Sequence, residues 1–286
     1  MKVALGTVQF GMEYGVANTA GRVSSTSVKE ILEVARSLGV DTLDTAAAYG
    51  DSEQVLGNAG VGSFNVISKV PPRSENIDCP TEWVQKNVEH SLANLKSDSL
   101  YGLMLHRPLD LLRPNGIELY DALLSVKKQG LVEKIGVSVY GPEDLENLAA
   151  FAFDVVQAPM NILDQRLKNS GWLARLNKLG TEIHVRSAFL QGLLLMPEDQ
   201  RPTYFQPWKT LLADYQAWIE GQNLSPLQVC LGYLNQYPEI NKIVVGVETA
   251  SQLREVVSAV GAPVASVPES IQTNDLNLIN PALWTL

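Results

Sequence analysis

The chain has 286 residues, 45% of them hydrophobic and 19% charged, with a formal net charge of -9. That length suits two small domains or one α/β barrel, which typically needs about 250 residues, and either can bury a large core. The acidic balance argues against nucleic acid or an anionic membrane as a partner.

Short β-branched runs then alternate with helical patterns. VALGTV is followed by STSVKEILEVARSLG, in which Val28, Ile31, Leu32 and Ala35 share a face and Gly39 ends the turn. DTLDTA, SEQVLGNA, FNVISKV and TEWVQKNVEHSLANL come next, followed by LYGLMLH, GIELYDALLSVKKQG, KIGVSVY and PEDLENLAAFA. DVVQAPM, LARLNKLG, TEIHVRSAF, NKIVVGV and TASQLREVVSAV continue the alternation. The strands are continuous apolar runs, as expected where helices cover one face and a packed interior the other. About eight such units predict a (β/α)8 TIM barrel rather than a doubly wound sheet. No Pro/Gly/Ser-rich linker divides the chain, so one domain is expected. Residues 193–210, LLLMPEDQRPTYFQPWKT, read as a long irregular insertion after the seventh strand, where a ligand-covering loop would lie. Tyr204, Phe205 and Trp208 in it could line a pocket or seal the barrel.

No run of about 18 apolar residues is present, and the opening MKVALGTVQFGMEYG lacks a signal-peptide pattern. Cys79 and Cys230 have no CxxC or CxxH neighbours, so they read as packing residues rather than a disulfide or zinc site. A soluble cytoplasmic protein is the expectation.

Three consecutive strands end in charge. Asp44 closes DTLD, Lys69 closes VISK, and His106 closes LMLH. Strand C-termini form the working face of a barrel, and neighbouring strands lie about 4.8 Å apart, so these tips converge. Tyr49, on the loop after Asp44, can reach the same volume. Singly, each has a plain reading: Asp44 as a helix cap, Lys69 reaching for water, His106 and Tyr49 as packed loop residues. Together they suit proton donation. A tyrosine hydroxyl normally ionises near pH 10, and a neighbouring ammonium, itself held by a carboxylate, favours the phenolate. A histidine opposite could orient a carbonyl. Side chains supply no hydride, so a redox cofactor is implied.

These residues resemble, in order and spacing, the Asp-Tyr-Lys-His tetrad of the aldo-keto reductases, and the resemblance runs through nearly the whole chain. LGTVQFG (5–11) is similar to the family's opening Gly-Thr strand, and LDTAAAYGDSEQVLG (43–57) to its Asp-Thr-Ala-x-x-Tyr-Gly signature. VEKIGVSVYGPEDL (132–145), VVQAPMNILDQR (155–166), VRSAFLQGLLL (185–195) and VVGVETASQLREVV (244–257) resemble its later segments. The resemblance implies a metal-free reductase of a small-molecule carbonyl using NAD(P)H. Tyr49 would be the general acid, Lys69 and Asp44 its tuning pair, and His106 the carbonyl-orienting residue. Gly6, Thr7, Ser138, Gln157, Arg186, Ser187, Phe189, Leu190, Gln191 and Gly192 would hold the cofactor's nicotinamide and pyrophosphate. Gly246, Val247, Glu248, Ser251, Gln252 and Glu255 would hold its adenosine end.

Four positions depart from the family pattern. Val139 stands where an Asn usually holds the carboxamide. Arg186 stands where an aromatic often stacks on the nicotinamide; it could stack there itself or pair with an acid. Glu248 and Gln252 replace the usual basic grip on a 2'-phosphate, which favours NADH over NADPH, with Arg254 close in sequence. Two other classes remain open: a cofactor-occupied redox sensor or scaffold, and a barrel lyase using Lys69 as a Schiff-base nucleophile.

Overall fold

The computed structural model describes residues 1–73 and 79–286. Eight strands close into a barrel: β1 (Val3–Gly6), β2 (Thr42–Asp44), β3 (Asn65–Val70), β4 (Leu100–Leu105), β5 (Val132–Ser138), β6 (Val155–Pro159), β7 (Glu182–Arg186) and β8 (Lys242–Gly246). They pair in parallel in chain order, and β8 returns to β1 with Gly246 beside Gly6. All eight expected strands are present, as the (β/α)8 architecture requires.

Period-two alternation sorts the side chains. Ile67, Met104 and Val155 point inward and form a small cluster inside the barrel. The opposite faces of the strands join the helices in a much larger outer core. Glycine makes one strand contact possible: a Cβ on Gly136 would lie 2.1 Å from the Val155 carbonyl oxygen. The N-terminal end of the barrel is closed by polar groups. Lys134 donates to Glu182 and to the Tyr101 hydroxyl, each at 2.5 Å, and Glu182 also meets His184 at 2.6 Å.

Two of the outer helices show how local signals set their starts. Helix Ser25–Ser37 is capped by Ser24, whose hydroxyl accepts the Ser27 N–H, and it buries Val28, Ile31, Leu32 and Ala35. Gly39 follows with φ +71°. Helix Pro226–Asn235 has a full capping box between Ser225 and Gln228.

Two segments differ from expectation. PEDLENLAAFA is helical only over Pro142–Asn147; the chain then turns so that Phe151 and Phe153 pack on Tyr120, with ring centroids 5.1 and 6.0 Å away. The insertion is not a free loop. It winds through 3-10 turns, and its aromatics pack on the C-terminal segment: Phe205 meets Trp284 at 4.9 Å and Trp208 donates to Asp275. None of Tyr204, Phe205 or Trp208 lines the large cavity described below, although Tyr204 borders a second pocket beside it. Trp83 likewise packs against the outer core.

Candidate active site

β2 and β3 bring Asp44 and Lys69 together at the C-terminal end of the barrel. Both Asp44 carboxylate oxygens lie 2.5 Å from the Lys69 ammonium, which also donates to the Thr45 carbonyl at 3.0 Å. Lys69 is 1% exposed and Asp44 3%. Burial alone would pull the lysine's pKa down, but the charges of Asp44 and Tyr49 outweigh it and the net shift is upward. Lys69 is therefore a locked ammonium, which removes the free amine that a Schiff-base lyase needs.

Gln157 completes the carboxylate's shell. Its amide donates to both Asp44 oxygens, at 3.2 and 3.0 Å, while its own oxygen accepts from Ser138 at 3.2 Å. Ser138 and Gln157, expected at the nicotinamide, both line the cavity; Gln157 is tied to Asp44, and Ser138 to Gln157. Thr7 behaves alike. Its hydroxyl donates to the Asp44 carbonyl, and Ser52 donates to both Thr7 oxygens, so Thr7 fastens the tips of β1 and β2.

Tyr49 hangs over this pair. The Lys69 ammonium lies 5.1 Å from its ring centroid, and the His106 ring meets it edge-on at 5.7 Å and 86°. The Tyr49 loop is set by a backbone-to-backbone approach that only glycine allows. A Cβ on Gly11 would fall 1.8 Å from the Tyr49 carbonyl oxygen, and Gly50, at φ +56°, faces the Gly11 carbonyl.

His106 follows β4 and is half-buried, with a buried Nδ1 that has no partner. Burial first, then the charges of Lys69 and Arg186, push its pKa down to about 4 against the pull of Asp44. The imidazole is neutral at physiological pH.

These groups form one end of a cavity of about 830 Å³, within the usual range of roughly 300–1,000 Å³ for small-molecule and cofactor sites. Tyr49, His106 and Asp44 line it, with Lys69 behind them. Every residue expected at the cofactor lines it as well, except Leu190 and Ser251. Leu190 is fully buried in the core, and Ser251 is exposed and bonded to Glu255. Arg254 is exposed and lies outside the lining.

The walls fit a dinucleotide. Gly246 is bare backbone where a Cβ would strike the Gln9 amide at 2.4 Å, and the buried Gln9 Oε1 has no partner. At the loop after β7, Ser187, Gln191 and Gly192 all take positive φ, which turns the backbone around the cavity edge. Sequence reasoning missed Gln9, Tyr140, Ser225 and the stretch 280–282. Gln9 sits inside a quoted motif, but nothing marks its orientation, and the return of 280–282 leaves no periodic signal. Among the described residues, no group of three or more His, Cys, Asp or Glu side chains could hold a metal ion, and no helix is long and apolar enough to cross a membrane.

Residues 2–268 match the aldo/keto reductase family model. The chain belongs to the aldo/keto reductase family. It is 26% identical to the Escherichia coli oxidoreductase YdhF over 83% of each chain. It is 23% identical to the 6-dehydroglucose reductase of Novosphingobium aromaticivorans, covering 88% of this chain and 86% of that one. In fold it is similar to the holo form of an aldo-keto reductase from Bacillus halodurans, with a TM-score of 0.73 and 20% identity over 93% of this chain and 88% of that one. Within this aldo/keto reductase, Val139 is fully buried and its N–H is bonded to the Gln157 carbonyl. It cannot replace a carboxamide-holding Asn.

Proposed function

We propose that this aldo/keto reductase reduces an aldehyde, ketone or sugar carbonyl to the alcohol with NAD(P)H, NADH being favoured, and with Tyr49 as the general acid. The observation that carries the reading is the fully buried Asp44–Lys69 pair lying beneath Tyr49 at the floor of the cavity. The nicotinamide, when bound, supplies the hydride. The protein does the rest. Neutral His106 donates a hydrogen bond to the carbonyl oxygen and orients it. Tyr49 gives that oxygen its proton, and the Lys69 ammonium stabilises the phenolate left behind. Asp44 and Gln157 keep Lys69 in place. Gln9 and the Gly246 backbone bound the cofactor cleft, and Glu248, Gln252 and Glu255 would meet the adenosine ribose.

The preference for NADH rests on Glu248. Glu248, Gln252 and Glu255 line that end of the cavity, without a Lys or Arg among the lining residues there. A 2'-phosphate carries close to two negative charges and normally meets Arg or Lys, whereas a carboxylate accepts from free ribose hydroxyls. We further propose that the chain works as a single cytoplasmic domain without nucleic-acid or membrane partners, in keeping with its net charge of -9.

The test is to titrate the protein with NADH and NADPH by tryptophan fluorescence and then screen carbonyls, starting with oxidised sugars because the 6-dehydroglucose reductase is a relative. Turnover with a higher kcat/KM for NADH is expected, and Glu248→Arg should shift the ratio toward NADPH. Preference of the wild type for NADPH would contradict the Glu248 argument. Tight cofactor binding without turnover of any carbonyl would contradict the reductase reading.

A further inference from the structure

Arg186 brings a positive charge into the catalytic cavity. Among the described residues it is the only Lys or Arg lining that space. Aspartates and glutamates outnumber lysines and arginines by 31 to 22 in this chain, yet Arg186 forms no salt bridge among the described residues. In the loop after β5, Asp144 accepts the Tyr140 N–H at 2.7 Å, and Glu143 lies 3.9 Å from Arg166.

The guanidinium is nevertheless held in position. One Nη donates to the Val139 carbonyl at 3.0 Å and the other to the Ser187 hydroxyl at 3.2 Å, and the carbon between them lies 4.9 Å from the Tyr140 ring centroid. A guanidinium has five N–H donors, and these two bonds use two of them. Its place relative to the tetrad follows from topology. Arg186 rises from β7, but its head reaches the residue after β5, and β5 is hydrogen-bonded to β4, which His106 follows. The charge thus lies roughly one to two strand spacings, about 5–10 Å, from the imidazole. It is also felt there, as one cause of the lowered His106 pKa.

We propose that Arg186 anchors a carboxylate of the substrate, so that the preferred carbonyl compound is an aldehyde or keto acid with its carboxylate a few carbons from the reacting carbonyl. This rests on the reductase reading above and adds the substrate class to it. A planar, permanently charged fork matches a carboxylate in two parallel hydrogen bonds. One guanidinium balances one carboxylate. A phosphate monoester, with nearly two charges, would find no second cation along this lining.

The experiment compares matched pairs with NADH: succinic semialdehyde against butanal, and D-glucuronate against D-glucose, with glyceraldehyde 3-phosphate against glyceraldehyde as the phosphate control. The wild type should favour the carboxylate in each of the first two pairs. In Arg186→Met the ratio of kcat/KM for the acid to that for its neutral partner should fall on the order of 10²-fold, chiefly through KM, as expected when one member of a hydrogen-bonded charge pair is truncated. Arg186→Lys should restore part of it. Calorimetric binding of succinate to the NADH complex, lost in both Arg186→Met and Arg186→Gln, reports the anchor without turnover. Equal kcat/KM within each pair, or preference only in the phosphate pair, would overturn the proposal. So would a parallel loss for acids and neutrals together with weakened NADH binding, which would assign Arg186 to the cofactor. Succinate binding without reduction of any carbonyl would support the anchor while contradicting the reductase reading.

Discussion

Burial alone would lower the Lys69 pKa; Asp44 and Tyr49 reverse that shift. The pair is nearly fully desolvated, so each member depends on the other. Lys69→Met should leave Asp44 buried with only the Gln157 amide and cost about 3–5 kcal/mol of stability, the usual penalty for orphaning a buried charge. Adding Asp44→Asn should recover much of that stability in urea denaturation without restoring turnover. Recovery of both would mean that Lys69 serves only the fold. His106 offers a second residue-scale test. Its folded pKa of about 4 lies below the unfolded value near 6.5. Between those two values the unfolded chain binds a proton that the folded one refuses. Its contribution is therefore fully present above about pH 6.5 and is lost as pH falls toward 4. NMR titration should give His106 a midpoint near 4, identified by the signal missing in His106→Gln. A midpoint near 6.5 would mean an imidazole that is largely charged in weakly acidic solution.

At the scale of elements, the working end depends on contacts that no side chain can make. Gly11 lets the segment after β1 touch the backbone at Tyr49. Gly11→Ala must push the two segments apart, displacing the Tyr49 hydroxyl by a fraction of an ångström or more. We expect kcat to fall by about 10²-fold, as misplacement of a reacting group by about 1 Å can do, with cofactor affinity much less affected. An unchanged kcat would show that the loop tolerates the shift. The sequence made the strands readable because their apolar runs are continuous, and it made the three charged tips readable because charge at the end of such a run is conspicuous. It could not show that Gln157 and Thr7 turn their polar groups toward Asp44, and Ser138 toward Gln157, since side-chain direction at a strand tip depends on partners far away in the chain. The helix after β5 stops at Asn147, short of its helical sequence pattern, for a related reason. Ala149 and Ala150 favour helix, but the packing of Phe151 and Phe153 on Tyr120 prevails.

Across the whole molecule, charge is divided between the two ends of the barrel. At the N-terminal end, burial would raise the Glu182 pKa, but hydrogen bonds from His184 and Lys134 bring it to about 2; burial would lower Lys134, and its bonds to Glu182 and Tyr101 lift it to about 12. The glutamate's contribution is therefore present above about pH 4.5 and lost as pH falls toward 2. Glu182→Gln should cost roughly 1–3 kcal/mol at pH 7, and its difference from wild type in urea midpoint should shrink below pH 4.5. A constant difference down to pH 2 would contradict the ionic account. The C-terminal end is left for chemistry, with the cavity running from Tyr49 to Glu248. The sequence indicated both ends of that cleft but not the return of 280–282 to its wall, because that contact joins segments far apart in the chain. The central claim is that Tyr49 donates the proton, and one comparison tests it most directly: kcat/KM of Tyr49→Phe against wild type on a reducible carbonyl, with NADH binding measured alongside. The account predicts a loss of about 10²–10⁴-fold with cofactor affinity intact. A Tyr49→Phe enzyme that keeps most of its activity would contradict it.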